Sequence, residues 1–394
     1  MRHLALVLSL VLLLGLLCGC GGKEETAHKG ESLAQIMAEK SAIPEDLPQP
    51  EPQPAAAPAP EPLPEPAPEP LPEPEPEPKT EWTLCFAGDT TIGTLEEWQG
   101  NAADHNMLYA VGENYAYPLS GVRAIFEEAD FTMVNLEGTL TNELTPKVKK
   151  YRFRAPPAYA AVLTEGCVDA VSLDNNHSGD YFEAGLAETK ATLDANGILW
   201  ASREQPLIAE LEGGIKIGIV SYNTVETEVY TGDVWAYMQH LTPQYQQLRE
   251  AGCDLVIGFM HWGWEYTPVP ETWVTELAHQ MADLGFDLIV GSHAHILQTT
   301  EYYNGVPIFY SLGNFCYGGH SNPDDKDCVI VRQHITLAED GTLQVGETEF
   351  LPCSISSSSA SNTFCPTPYA VGSEDYERVM GKLDAAAFFA NSTP

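Results

Sequence analysis

Residues Phe286–His295 read FDLIVGSHAH, an apolar run of strand length closed by two histidines one residue apart. On extended chain successive side chains alternate, so rings at i and i+2 leave on the same side. Taken alone, the pair has two readings. One ring could face solvent while the other is a satisfied core residue, or both could be neutral imidazoles converging on a transition metal. The rest of the chain separates the two.

Other apolar runs end in the same manner. WTLCFAGD ends at Asp89, ADFTMVNLEG at Asn135 and Glu137, VDAVSLDNNH at Asn175, Asn176 and His177, and DLVIGFMHWG at His261. Helical patterns lie between several of them. PLSGVRAIFEEA is one, and GLAETKATLDANG is another, stopping at Gly197 as a glycine C-cap. ETWVTELAHQMADLG places Trp273, Leu277, Met281 and Leu284 on one face. The alternation predicts an α/β fold, and polar residues at strand carboxyl ends stand where sites form in open α/β sheets. AGCDLVIGFMHWG and LGFDLIVGSHAH read as two similar strand–loop units. Further on, EDGT predicts a hairpin turn between two strands, and GSEDYERVMGKLDAAAFFA predicts a last helix.

The amino-terminal part is different in kind. MRHLALVLSLVLLLGLLCGC, residues 1–20, has a basic start, a short apolar run and small residues at its end, the pattern of a secretory signal. The run is near the lower limit for a spanning helix, which is the competing reading. Leu17, Cys18, Gly19 and Cys20 resemble the lipobox of bacterial lipoproteins. That resemblance implies cleavage before Cys20, a lipid on its thiol, and a mature extracytoplasmic chain anchored on the outer side of the membrane. Residues 21–80 are predicted to be a disordered stalk, as in PEPAPEPLPEPEPEPK over Pro64–Lys79. Such a segment has too little apolar surface to fold, and proline keeps it extended at roughly 3 Å per residue. Recognition by a partner is the other use of such proline stretches.

Residues 81–394 are long enough for one large α/β domain. The chain has 19 Lys and Arg against 56 Asp and Glu, a balance that repels nucleic acid and argues against a general nucleic-acid binder. Of nine cysteines, Cys18 leaves with the signal and Cys20 would be lipidated. Cys316/Cys328 and Cys353/Cys365 are candidate pairs; with no CxxC spacing, the thiols read as packing residues or optional bridges.

Together the strand ends offer Asp89, Glu137, Asn176, His261, His293 and His295, a mixed oxygen and nitrogen set suited to Mn, Fe or Zn. A carboxylate can bridge two ions roughly 3.5–4 Å apart, which can hold a phosphoryl group and activate water. His177, beside Asn176, is the candidate catalytic residue, placed to protonate a leaving oxygen. In PKVKKYRFRAPP, Pro146–Pro157, extended backbone would turn Lys150, Arg152 and Arg154 one way. That row is either a solubilising edge or a grip for an anionic substrate through forked guanidinium bonds. Arg152 and Arg154, with Asn135, are the candidate substrate-binding residues.

As a set, FAGDTTIG, VNLEGTLT, FRAPP, LDNNHSGDY, GFMHWGWEYTPVP and GSHAHILQTTEYYNGVPIFYSLGNF resemble the CapA family of capsule (poly-γ-glutamate) synthesis proteins, over most of Trp82 to about Gly319. The resemblance implies the fold of calcineurin-like metallophosphoesterases, a metallophosphatase-like four-layer α/β sandwich of two β-sheets flanked by helices. It sets Asp89 at the first aspartate of Asp-x-His, and Glu137 or Asn135 near the bridging aspartate. Asn176 and His177 match Asn-His, His261 the isolated histidine, and His293 and His295 the Gly-His-x-His pair. Thr91 stands where that superfamily has its first histidine, NLE replaces Gly-Asp, and Ser292 replaces a glycine. These departures imply one firm metal site and a second weak one. The implied function is a surface-anchored lipoprotein supporting synthesis or export of an anionic capsule polymer such as poly-γ-glutamate, with the capsule synthesis machinery as partner. A metal-dependent phosphoesterase acting on cell-envelope molecules and a non-catalytic module that binds anionic polymer are the other two classes.

Overall fold

The computed structural model describes residues 79–95, 106–225 and 232–392. The signal, Cys20 and all but the last two residues of the expected stalk lie outside the described residues. Numbered along the chain, the first strands are β1 (Glu81–Thr91), β2 (Thr94–Leu95), β3 (Phe131–Leu136), β4 (Thr139–Leu140), β5 (Phe153–Ala155), β6 (Ala170–Ser172) and β7 (Leu199–Ala201). Next come β8 (Leu207–Glu210), β9 (Lys216–Asn223), β10 (Leu255–His261), β11 (Leu288–Ser292), β12 (Thr300–Tyr303) and β13 (Val306–Phe309). The last are β14 (Asn314–Tyr317), β15 (Asp327–Leu337), β16 (Leu343–Ser354) and β17 (Thr367–Pro368). The helices are α1 (Met107–Val111), α2 (Arg123–Glu127), α3 (Ala161–Glu165), α4 (Phe182–Ala195), α5 (Val234–Glu250), α6 (Thr272–Leu284), α7 (Glu374–Lys382) and α8 (Ala385–Asn391). Among the described residues no helix is long and apolar enough to cross a membrane.

Two sheets carry the architecture. The first runs β17-β16-β15-β1-β3-β6-β7, with β14 against the end of β1; the second runs β12-β13-β11-β10-β9-β8. Alternation along the strands explains why they stack. Leu84 and Phe86 of β1 meet Ile257 and Phe259 of β10 in one core, with the Phe86 and Phe259 rings 6.5 Å apart. Burying each such ring contributes about 2–3 kcal/mol. The intervening Cys85 and Ala87 face the other way, against Phe126 of α2, Leu163 of α3 and Leu193 of α4. On the second sheet Val256 and Met260 face Leu241 and Leu248 of α5 and Leu277 and Met281 of α6. The result is the expected four layers, helix, sheet, sheet, helix.

Several local readings hold and others change. Gly197 follows α4 at φ 71, the left-handed position that ends the helix, and the β15–β16 hairpin turns at Gly341. The predicted helix over PLSGVRAIFEEA keeps only the α2 segment, with turns before it. The last helix is two, α7 and α8, broken where Asp384 takes φ 52. Cys316, Cys328, Cys353 and Cys365 are buried free thiols, and Cys328 lies opposite Cys353 on the β15–β16 ladder, so neither expected pair is bridged.

Parallel pairing does the positioning. β1, β3 and β6 run parallel, so their carboxyl ends share one edge of the first sheet. β9, β10 and β11 do the same in the second. Those two edges hold every residue of the cluster described next.

Candidate metal centre

Asp89 is the penultimate residue but one of β1, fully buried, and registers with Asn135 of β3. Its Oδ1 accepts from Asn135 Nδ2 at 2.8 Å, and its Oδ2 accepts the backbone N–H of His293 at 3.2 Å. Glu137 follows β3 directly and is fully buried. Thr91 donates its hydroxyl to Glu137 Oε2 at 3.1 Å. The other oxygen, Oε1, is buried without a hydrogen bond and lies 3.8 Å from both His261 Nε2 and His295 Nε2. Thr91 therefore orients the Glu137 carboxylate.

The second sheet supplies imidazoles. His261 ends β10, and Ser292, its register partner on β11, donates to Met260 O at 2.9 Å. That leaves the serine oxygen to accept from His261 Nδ1 at 3.0 Å, closer than Asn135 Nδ2 at 3.3 Å, and assigns the ring proton to Nδ1. The lone pair of Nε2 then faces Asn176 Oδ1 at 2.9 Å and Glu137 Oε1. Oxygen and nitrogen donors converging in this way are the surroundings a cation satisfies. His295 is held likewise: its Nδ1 donates to Asn314 Oδ1 at 2.9 Å and lies 3.3 Å from Asp89 Oδ2.

The pair that opened the sequence reading converges for a different reason than the one expected. His293 and His295 lie beyond β11 in left-handed backbone, φ 93 and φ 58, so strand alternation does not apply. Left-handed residues other than glycine cost on the order of 1–3 kcal/mol each and collect at functional sites. The His293 ring packs 4.6 Å from His261 and 5.9 Å from His295.

Three overlapping donor sets result: Glu137 with His261 and His293, Asp89 with Glu137 and His295, and Glu265 with His293 and His295. Within each set the donor atoms lie within 4.8 Å of one another. Glu137 is common to the first two. Asp89, Glu137 and Asn176 come from the first sheet, and the three histidines come from the second. Burial, reinforced by the neighbouring histidines, holds the pKa of His261 and His293 well below the usual imidazole value, so both are neutral, the form that ligates metal. Burial lifts Glu137 to about 8, against the pull of His295. Burial disfavours a charged His295, but Glu137 and Asp89 outweigh it and raise its pKa to about 10. The cation-free cluster holds protons that a divalent ion would replace. Metal affinity should therefore rise with pH through about 8, where Glu137 gives up its proton, and on to about 10, where His295 does. Titrating Mn2+ in two buffers of different ionisation enthalpy checks this, and a proton release of zero would exclude it.

The other sequence candidates lie around the cluster. Asn135 was expected to meet substrate, but it is wholly buried, its Nδ2 donating to Asp89 and its Oδ1 accepting from Asn175 Nδ2. Its place is to hold Asp89. His177 is buried, with Nδ1 2.9 Å from Asp180 Oδ2 and its ring 4.5 Å from Phe153. Burial lowers its pKa against the opposing charge of Asp180. Near neutral pH it is therefore a neutral ring oriented by Asp180, suited to accepting a proton before giving one back. The expected row of Lys150, Arg152 and Arg154 does not form, because the strand begins only at Phe153. Arg152 donates to Lys149 O; Arg154 donates to Thr141 O at 3.1 Å and lies over the Tyr181 ring. Lys149 is the cation that reaches inward, paired with Asp180 and donating to Asn176 O at 2.8 Å.

Glu265 escaped the sequence reading, as did the orienting roles of Ser292, Asn314 and Asp180. The available signal was HWGWEY, in which a carboxylate follows His261 by four residues. A cleft of about 300 Å³ opens beside His295, walled by Tyr266, Tyr317, His320 and Asn322. A larger hollow of about 730 Å³ lies at Asp325, Asp327, Arg378 and Lys382, outside the cluster, with these charges paired to one another.

Fold and site together define a sandwich with a buried carboxylate–histidine cluster at its strand ends, a donor set consistent with a metal site. Residues 83–318 match the family described as bacterial capsule synthesis protein PGA_cap, and the chain belongs to that family. It is similar to the PGA biosynthesis protein CapA of Bacillus subtilis (strain 168), 27% identical over 239 residues that cover 57% of this chain and 62% of that protein. The capsule biosynthesis protein CapA of Bacillus anthracis is 28% identical over 209 residues, 49% of this chain and 50% of that one. A probable polyglutamine synthesis accessory protein of Mycobacterium tuberculosis is 28% identical over 243 residues, 53% and 63%. The chain thus spans between half and two thirds of the length of these relatives. Among solved structures, NAD nucleotidase of Haemophilus influenzae aligns with a TM-score of 0.35 and 12% identity over 77% of this chain and 62% of that one. The 5'-nucleotidase of Candida albicans aligns with a TM-score of 0.38 and 12% identity over 66% and 52%.

Proposed function

We propose that this chain is a metal-dependent accessory protein in the synthesis or export of an anionic capsule polymer of the poly-γ-glutamate type. The observation that carries the reading is Glu137 Oε1, buried, without a hydrogen bond, and common to two donor sets. Asp89, Glu137, Asn176, His261, His293 and His295 would hold the ions, of the Mn, Fe or Zn class. When bound, such ions polarise a carbonyl or phosphoryl oxygen and lower the pKa of water. Thr91 and Asn135 fix the two carboxylates, Ser292 and Asn314 fix the ring tautomers, and His177 with Asp180 takes up or returns a proton. The names of the relatives support the polymer; the lipobox-like LCGC supports an outer-surface anchor through Cys20, with the capsule machinery as partner. The shared carboxylate also suits a second reading, hydrolysis of a phosphoester of the cell envelope.

The test removes the gene from cells that make the polymer and restores it as wild type, Glu137→Gln or Cys20→Ala. Surface polymer should return with wild type and stay about tenfold lower with Glu137→Gln. Full restoration by Glu137→Gln would end the metal reading. Cys20→Ala should leave the membrane fraction or remain unprocessed, and unchanged lipid labelling would end the anchor. Turnover of a phosphoester panel by the metal-loaded protein, with polymer level unaffected by the deletion, would move the assignment to the second reading.

A further inference from the structure

We propose that Glu265 is an additional, displaceable ligand on the solvent side of the centre, and this rests on the metal reading above. Among the three donor sets, Glu265 is the exposed member; the others are buried. Its carboxylate nevertheless lies within 4.8 Å of the donor nitrogens of both His293 and His295. The backbone holds it there. Tyr266 donates its N–H to Ala294 O at 2.8 Å, so the segment after His261 is clipped between the two histidines. Tyr266 takes φ 57 to make that contact, and Gly263 takes φ 77 upstream, turning the chain back over the strand ends. A loop fastened at this point presents residue 265 to the histidines for local reasons alone.

Glu265 is also free of the burial that fixes the other donors, since it stands at an exposed position. The cleft bounded by Tyr266, His295 and Tyr317 begins beside the same position. An anionic oxygen from a substrate entering this cleft would meet the cation where Glu265 does. The residue then works as a carboxylate that holds the open face of the centre until a carboxylate or phosphate of the substrate takes its place. Substrate class follows from this exchange: an oxyanion, matching the side chain it replaces.

Dialysed full-length protein titrated with Mn2+ tests the idea by calorimetry. Glu265→Gln should weaken binding of the weaker ion by at least about tenfold, leave the tighter ion unchanged, and leave the melting temperature of the metal-free protein unchanged. Asp324→Asn, an exposed acid at the cleft mouth, is the control and should match wild type. In the metal-loaded protein, inorganic phosphate should bind more tightly to Glu265→Gln than to wild type, because no carboxylate competes. If wild type binds Mn2+ and Glu265→Gln binds both ions and phosphate identically, the ligand role of Glu265 is wrong and the metal centre stands. If wild type binds no divalent ion of the Mn, Fe or Zn class, the metal reading falls and this inference falls with it.

Discussion

Glu137→Gln will lose divalent metal by about 100-fold in affinity or more, while its metal-free form at pH 9 will be at least as stable as wild type. The two halves of this result have one cause. Glu137 Oε1 is the donor common to two sets, so a neutral amide removes charge from both ion positions at once. The same carboxylate is costly when no cation is present, because burial raises its pKa from 4.5 to about 8. A raised carboxyl pKa means that the folded state holds its proton more tightly than the unfolded chain. Stability from that proton is therefore full below about pH 4.5 and is lost as pH climbs through about 8. Glutamine has no charge to bury and escapes the loss. Metal titration and thermal melts in chelator at pH 6 and pH 9 read both halves. His279→Ala is the control, since His279 sits on α6 stacked 3.7 Å from the Tyr303 ring and belongs to no donor set. A Glu137→Gln protein that keeps wild-type affinity would overturn the assignment of the shared ligand.

Gly88→Ala should destabilise the domain by about 3 kcal/mol or more and lower Tm by about 5 °C. A Cβ at Gly88 would lie 2.0 Å from the backbone oxygen of Gly313. Backbone cannot step aside as a flexible side chain can, and Asp89 N donates to that same oxygen at 3.0 Å. Moving β1 away from the chain before β14 would therefore shift Asp89 as well, so metal affinity should fall together with Tm. Gly381→Ala, on α7 with open space where its Cβ would lie, should leave both unchanged. A Gly88→Ala variant melting within about 1 °C of wild type would show that the two segments can separate freely.

The α/β layering was legible because the strands are buried on both faces and end in polar residues; the two-sheet sandwich was implied only by the family resemblance. WTLCFAGD and DLVIGFMHWG carry apolar side chains in both parities, which only a sheet covered on two sides needs. The donor types were legible for the same reason, since a buried strand end has few other uses for a carboxylate or an imidazole. Backbone shape was not. Nothing in GSHAH says that His293 and His295 leave the strand and turn left-handed, because histidine carries no strong local preference there. The basic stretch misled through an assumed length of strand: Asp180 accepts the N–H of Phe153 and pairs with Lys149, drawing the chain inward before it extends. Such long-range partners, like Thr91 for Glu137 and Asn314 for His295, have no spacing signature.

The division of donors between the layers has a mechanical consequence. The buried oxygen donors rise from one sheet and the imidazoles from the other, so an ion gripped by both would be a tie across the apolar interface between them. Chelation would then loosen that joint without melting either sheet: amide exchange should quicken along the rim of β10 and β11 before it quickens in the β15–β16 hairpin, which stands away from the tie. In such a protein, scarcity of metal would be felt first as slack between the two sheets, and only afterwards as lost chemistry.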